Sequence, residues 1–127
     1  MGGWRILSGE RGSVTVEFFL VLPLLILVLV AGVQVISVAR ARVELLGAVR
    51  EGARVAATTP DPARAVEVVR SAMSPTERDR VRISVSRPAM VGRPARVTAT
   101  MRHDLNIPFL DDLGVDLSAT ASMLVER

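Results

Sequence analysis

The apolar positions divide the chain into three regimes. Over residues 18–33 no side chain is polar, and only Gln34 and Ser37 interrupt the run up to Ala39. As a helix, residues 18–38 span about 31 Å, the thickness of a bilayer's hydrocarbon core. A buried helix in a soluble protein is the competing reading. The rest of the chain has too little apolar surface to wrap such a segment on all sides, so a transmembrane helix is predicted over 13–39. Pro23 lies inside it and removes one backbone hydrogen bond, which predicts a bend. Lipid tolerates that loss where neighbouring groups re-satisfy the carbonyl.

Past residue 38 the pattern becomes amphipathic in "ARARVELLGAVREGARVAAT". This predicts a helical extension over 40–58. Ala48, Gly52 and Ala56 form a small-residue stripe at spacing four, along which another backbone can approach closely. Arg50 and Arg54 fall one turn apart, with Glu51 beside them.

The third regime starts with a short second helix. Asp61 suits the N-cap, Pro62 the first helical position, and Val66, Val69 and Met73 one apolar face, with Ser74-Pro75 as the stop. Period two follows. Val81, Ile83 and Val85 alternate with polar residues, as do Val97, Ala99 and Met101, and then Val115, Leu117, Ala119, Ala121 and Met123. The connections "PAMVGRP" and "DLNIPFLDDLG" supply the Pro and Gly that turns need. Three one-sided strands need a cover, and the amphipathic part of the long helix provides it. The predicted fold is α+β: a long N-terminal transmembrane and amphipathic helix packed on a small three-stranded antiparallel sheet, with one short second helix. The predicted organisation is a leader at 1–12, the membrane helix at 13–39, its extension at 40–58 and a small α+β domain at 59–127.

Composition changes this picture little. The chain has 127 residues, is 50% hydrophobic and only 3% aromatic, and contains no cysteine, so disulfides and thiolate metal sites are excluded. The net charge is +3 and every basic residue is arginine. Acidic residues nearly balance the arginines and no basic run carries interleaved aromatics, so no nucleic-acid partner is expected.

Candidate chemistry is sparse. His103 is the only histidine, and with Asp104 at a strand end it reads as a solvated surface pair. No nucleophile elbow or Gly-rich phosphate loop occurs, so no catalytic residue is assigned. Asp111 and Asp112 in "FLDDLG" fall short of an ordered calcium loop and read as a solvated turn. No metal or cofactor is expected. Pro108, Phe109 and Leu110 read as a core plug between strands rather than an interaction knob.

The informative stretch is "RGSVTVEFF", where one carboxylate stands at the mouth of the apolar run. Gly12, then four residues, then Glu17-Phe18 and an apolar helix resembles the processing site of type IV pilins and pseudopilins. The resemblance implies cleavage between Gly12 and Ser13 by a prepilin peptidase, with Glu17 the fifth residue of the new chain. It also implies that Glu17 pairs with the freed α-ammonium of a neighbouring subunit in a lipid-free fibre core, where a lone carboxylate is costly. In a membrane monomer Glu17 sits near the interface and the positive end of the helix dipole, where negative charge is tolerated.

Further residues narrow the likeness. "ERGSVTVEFFLVLPLLILVL", the block Arg50-Glu51-Gly52-Ala53-Arg54, and the ending "LSATASMLVER" resemble TadE-like pseudopilins of tight-adherence (Flp) pilus systems. That implies a minor pilus component or assembly factor, with other pilins, pseudopilins and the Tad assembly platform as partners. It implies a single-pass protein of the cytoplasmic membrane, leader inside and C-terminal domain outside, able to enter a surface pilus. Arg40, Arg42, Arg50 and Arg54 follow the span and only Arg5 and Arg11 precede it, which by the positive-inside rule favours the opposite orientation. The processing motif sets the expected one. The alternative is a non-polymerising, membrane-anchored protein that keeps residues 1–12 and uses its small domain to bind an envelope partner.

Overall fold

The computed structural model describes residues 8–126, with side chains from residue 12 onward. The leader's residues 1–7, Arg5 among them, and the side chain of Arg11 lie outside the described residues. In chain order the elements are α1 (Ser8–Thr58), α2 (Pro62–Ala72), α3 (Pro75–Arg78), β1 (Arg82–Ser86), β2 (Pro94–Asp104) and β3 (Gly114–Leu124). The α+β class is as expected. Two details differ: α1 is already helical at Ser8, ahead of the expected start at Ser13, and a four-residue α3 follows the short second helix. The helix continues through Pro23.

The chain divides into two compact units, one up to Val35 and one from Ile36 onward. The second unit, called the head below, therefore includes the amphipathic extension together with the sheet. Its strands are antiparallel in the order β1-β2-β3. On the inner face Ala95, Val97, Ala99, Met101, Leu117 and Ala119 are buried, with Ile83, Val85 and Ala121 packed at their margin. The outer face is polar, and Thr98 and Thr120 meet across it with hydroxyl oxygens 3.1 Å apart.

Two expected inner-face residues, Val115 and Met123, lie exposed. They sit near the two ends of β3, where the helical cover runs out, while Val125 beyond the strand is buried instead. The cover comes from α1, whose Ala41, Leu45, Ala48, Val49, Ala53, Ala56 and Ala57 are buried. These recur at the three- and four-residue steps of one helix face.

The second helix starts as its sequence dictates. The Asp61 carboxylate accepts a hydrogen bond from the Ala63 amide at 3.0 Å, and Pro62 occupies the first turn, where its missing N–H is harmless. Ala65, Val69 and Met73 are buried, and Val66 is half-buried.

Candidate functional site

In the first unit the candidate residues lie along one helix surface. A Cβ on Gly12 would meet nothing beyond its chain neighbours and the local helix backbone, so this face of α1 is uncrowded there. Ser13 and Glu17 are exposed, and so are Phe18, Phe19 and most of the large apolar side chains on to Ile36. Among the described residues this is the one helix long and apolar enough to cross a membrane, and its apolar window is not buried by the protein itself. That separates it from the core helix of a soluble protein, which passes the same length test but is covered by its own fold. Pro23 is exposed on the same surface.

In the second unit the small-residue stripe is buried. A Cβ on Gly52 would clash with Val69 Cγ2 and stand 3.5 Å from the Ala65 carbonyl oxygen and 3.6 Å from Val97 Cγ1. Ala48, Gly52 and Ala56 therefore form the seat for α2 and the sheet, and the backbone they admit is this chain's own. The block around Gly52 follows from that seat. Gly52 and Ala53 point inward, while Arg50 and Arg54 point to solvent. Arg54 reaches back along α1 to Glu51 at 2.5 Å, and its hydrogen bond holds that carboxyl below the usual range. Both groups are exposed, so the pair orders the helix surface and adds little stability.

His103 differs from expectation. It is not a solvated partner of Asp104. Asp104 faces outward and pairs with Arg80 at 2.5 Å, whereas the His103 side chain is only 14% exposed and that of Glu77 18%. The cause is the alternation of β2: the inward face of Val97, Ala99 and Met101 continues to the next odd position. Extending period two by one step would have found it.

There His103 Nδ1 stands 3.2 Å from the Glu77 carboxylate, and Nε2 stands 2.9 Å from the Ser37 hydroxyl oxygen. The connectivity is that of a serine–histidine–acid triad. However, Ser37 lies inside α1, where its own amide and those around it are engaged in the helix, leaving no backbone donors for an oxyanion. The three residues instead clamp α1, α3 and β2 together. Close by, Glu44 on α1 accepts from the Ser74 amide at 2.5 Å and ties down the α2–α3 junction. Replacing His103 with Ala orphans two half-buried partners at a cost of about 1–3 kcal/mol. Thermal unfolding of the detergent-solubilised protein, followed by circular dichroism, should show the head melting roughly 5–15 °C lower.

Pro108, Phe109 and Leu110 are not a core plug. Phe109 is 102% exposed and Leu110 52%. They form the tip of the β2–β3 hairpin, where a turn with positive φ at Phe109 swings the side chain away from the sheet. Asp111 and Asp112 follow in the same exposed connection, with Asp112 also at positive φ. Among the described residues no group of three or more acidic, His or Cys side chains is placed to hold a metal.

An uncovered apolar helix joined to a small α+β head defines a single-pass membrane protein. Within that class, residues 12–54 match the family model described as TadE-like protein. The match ends within α1, short of the sheet. No curated protein and no solved structure matches the chain.

Proposed function

We propose that this chain is a pseudopilin of a Tad pilus, a minor fibre component or assembly factor that works through its N-terminal helix and performs no chemistry. The observation that carries the reading is where the family match begins. It starts at Gly12, the residue on the cleaved side of the proposed processing site. Prepilin peptidase would cut between Gly12 and Ser13 on the cytoplasmic side, with the head outside the membrane. A peptidase needs extended backbone, whereas Gly12 lies within α1, so the cut requires the first turns of the helix to open; the uncrowded surface at Gly12 leaves room for the enzyme. The cut frees an α-ammonium four residues before Glu17, and the charge pairing between subunits follows from the two.

The test is the intact mass of protein extracted from membranes and from sheared surface material. The expected mature chain begins at Ser13, and Gly12→Ala or a larger residue leaves the leader attached. Retention of residues 1–12 on wild-type protein would instead establish the non-polymerising anchor, whose head holds an envelope partner. A shortened product from the Gly12 variants would refute the site itself.

A further inference from the structure

The two ends of the β2–β3 hairpin carry features of matching character, and both ends belong to the head. Strand register fixes their separation: Asp104 faces Gly114 at one end, and Pro94 faces Leu124 at the other. Ten residue steps of strand place these ends about 34 Å apart.

At the first end stands the tip. The Leu105 amide donates to the Leu113 carbonyl at 2.8 Å, and the Leu110 amide to the Ile107 carbonyl at 3.2 Å. Pro108-Phe109 has the pattern of a type II turn, with φ of 70° at Phe109, a corner where glycine is the relaxed residue. That strained backbone holds the ring outside the head. Leu110 and Leu113 are exposed beside it. Residues 105–113 include Asp111 and Asp112 and no base. Neither carboxylate has a basic partner among the described residues.

At the second end lies an open groove of about 680 Å³, lined by Thr58, Val91, Gly92, Leu124, Val125 and Glu126. Its walls are pinned by backbone bonds. The Gly92 amide donates to the Val125 carbonyl at 3.1 Å, the Val125 amide to the Arg93 carbonyl at 2.9 Å, and the Glu126 amide to the Ala57 carbonyl at 3.1 Å. The mouth is apolar, with Met90, Val91 and Leu124 exposed. Arg93 and Arg96 stand exposed at this end, without a carboxylate partner among the described residues. Glu126 is the only acid in the lining.

We propose that the hairpin tip of one copy docks in this groove of a second copy. Phe109 and Leu110 fill the apolar mouth, and Asp111 and Asp112 lie toward Arg93 and Arg96. The knob is apolar and acidic and the groove apolar and basic, so each supplies what the other lacks. The strand length between them prevents their meeting within one chain. Every docked pair leaves one knob and one groove free, so the contact is head-to-tail and extends into an open row instead of closing as a dimer. A hairpin tip buries little area, so each contact is weak and gains its effect by repetition.

The contact joins heads and does not depend on leader cleavage, so its failure leaves the processing site standing, and the reverse holds too. The chain has no cysteine, so introduced cysteines report the contact without background. The test uses the full chain in detergent, at the high concentration a weak interface requires, oxidised with copper phenanthroline. Leu110→Cys mixed with Val91→Cys should give a disulfide-linked dimer holding one of each. A chain carrying both changes should give a ladder of oligomers. Leu110→Cys mixed with Ser118→Cys, on the polar outer face, sets the level of random collision. No product above that level overturns the proposal. So does Leu110→Cys linking to itself as readily as to Val91→Cys, which would make the tip merely adhesive. Phe109→Gly in the two-cysteine chain relaxes the turn and removes the ring. It should melt no lower than its parent yet slow the ladder about 10- to 100-fold, and an unchanged ladder overturns the proposal. Asp111→Arg with Asp112→Arg on the Leu110→Cys copy should slow linking. Arg93→Asp with Arg96→Asp on the Val91→Cys copy should restore it, and failure to restore it overturns the proposal.

Discussion

Replacing Gly52 with leucine is expected to leave a protein that still inserts in membranes but whose head does not fold. At this position α1 meets both α2, through Val69 and Ala65, and β2, through Val97. The obstructing Val69 is fully buried, and as a β-branched residue in a helix it has one favoured rotamer and nowhere to turn. Gly52→Ala should destabilise the head, though less than leucine does. Overpacking costs about 1–3 kcal/mol, and the gain in helix propensity returns about 1 kcal/mol of it. Leucine adds three further carbons to a seat that has no room for one. The head's total stability is on the order of 5–15 kcal/mol, and the added strain takes a large fraction of it.

Limited proteolysis and circular dichroism of the solubilised protein check the outcome, and a wild-type melt for Gly52→Leu would sink it. A sharper control is the pair Gly52→Ala with Val69→Ala. The second change opens a cavity where the first adds a methyl group. The double variant should be more stable than the sum of the singles by roughly 0.5–3 kcal/mol. Strict additivity would mean that the two residues do not share one space.

That contact also shows what the sequence could and could not disclose. The small stripe Ala48, Gly52 and Ala56 was legible as a place of close approach, because spacing four puts the three residues on one face. Spacing does not name the partner. Whether the incoming backbone belonged to a sister subunit or to α2 depended on how residues 59–73 fold back, a tertiary fact. The apolar run was legible because lipid demands a long uninterrupted segment and nothing in the rest of the chain could cover one. The strands were legible from period two, and the second helix from Asp61-Pro62.

Residue type alone sends His103 to solvent and Phe109 to the core. Backbone geometry decided otherwise: strand alternation turned His103 inward, and a positive φ at the hairpin corner turned Phe109 outward. Val115 and Met123 kept the correct parity and still lie exposed, because parity says nothing about where the helical cover ends. The candidate processing site was legible as a motif, Gly12 and Glu17 at fixed separation. On the folded chain these residues lie on an uncovered helix surface, so their roles depend on partners that the fold itself does not supply.

Glu17 carries the largest expected effect on assembly. Under the proposed function, Glu17→Ala should be cleaved and inserted normally yet be nearly absent from surface fibres. In the membrane the carboxylate stands at the first turns of the apolar helix, near polar headgroups, so removing it costs the monomer little. In a lipid-free fibre core the freed α-ammonium of a neighbouring subunit would lose its counter-charge. Leaving one member of a buried pair unmatched costs about 3–5 kcal/mol. That is roughly a 10²- to 10⁴-fold weaker addition for each subunit. Glu17→Gln should fall between the two, because an amide can accept a hydrogen bond from the ammonium without neutralising it. The measurement is the ratio of sheared to membrane-bound protein for wild type and both variants, beside the mass of the membrane form. Loss of fibre incorporation with intact cleavage supports the pairing. Wild-type incorporation of the alanine variant sinks it, because a fibre core that accepts an unpaired ammonium at no cost has no need of an acid at that position.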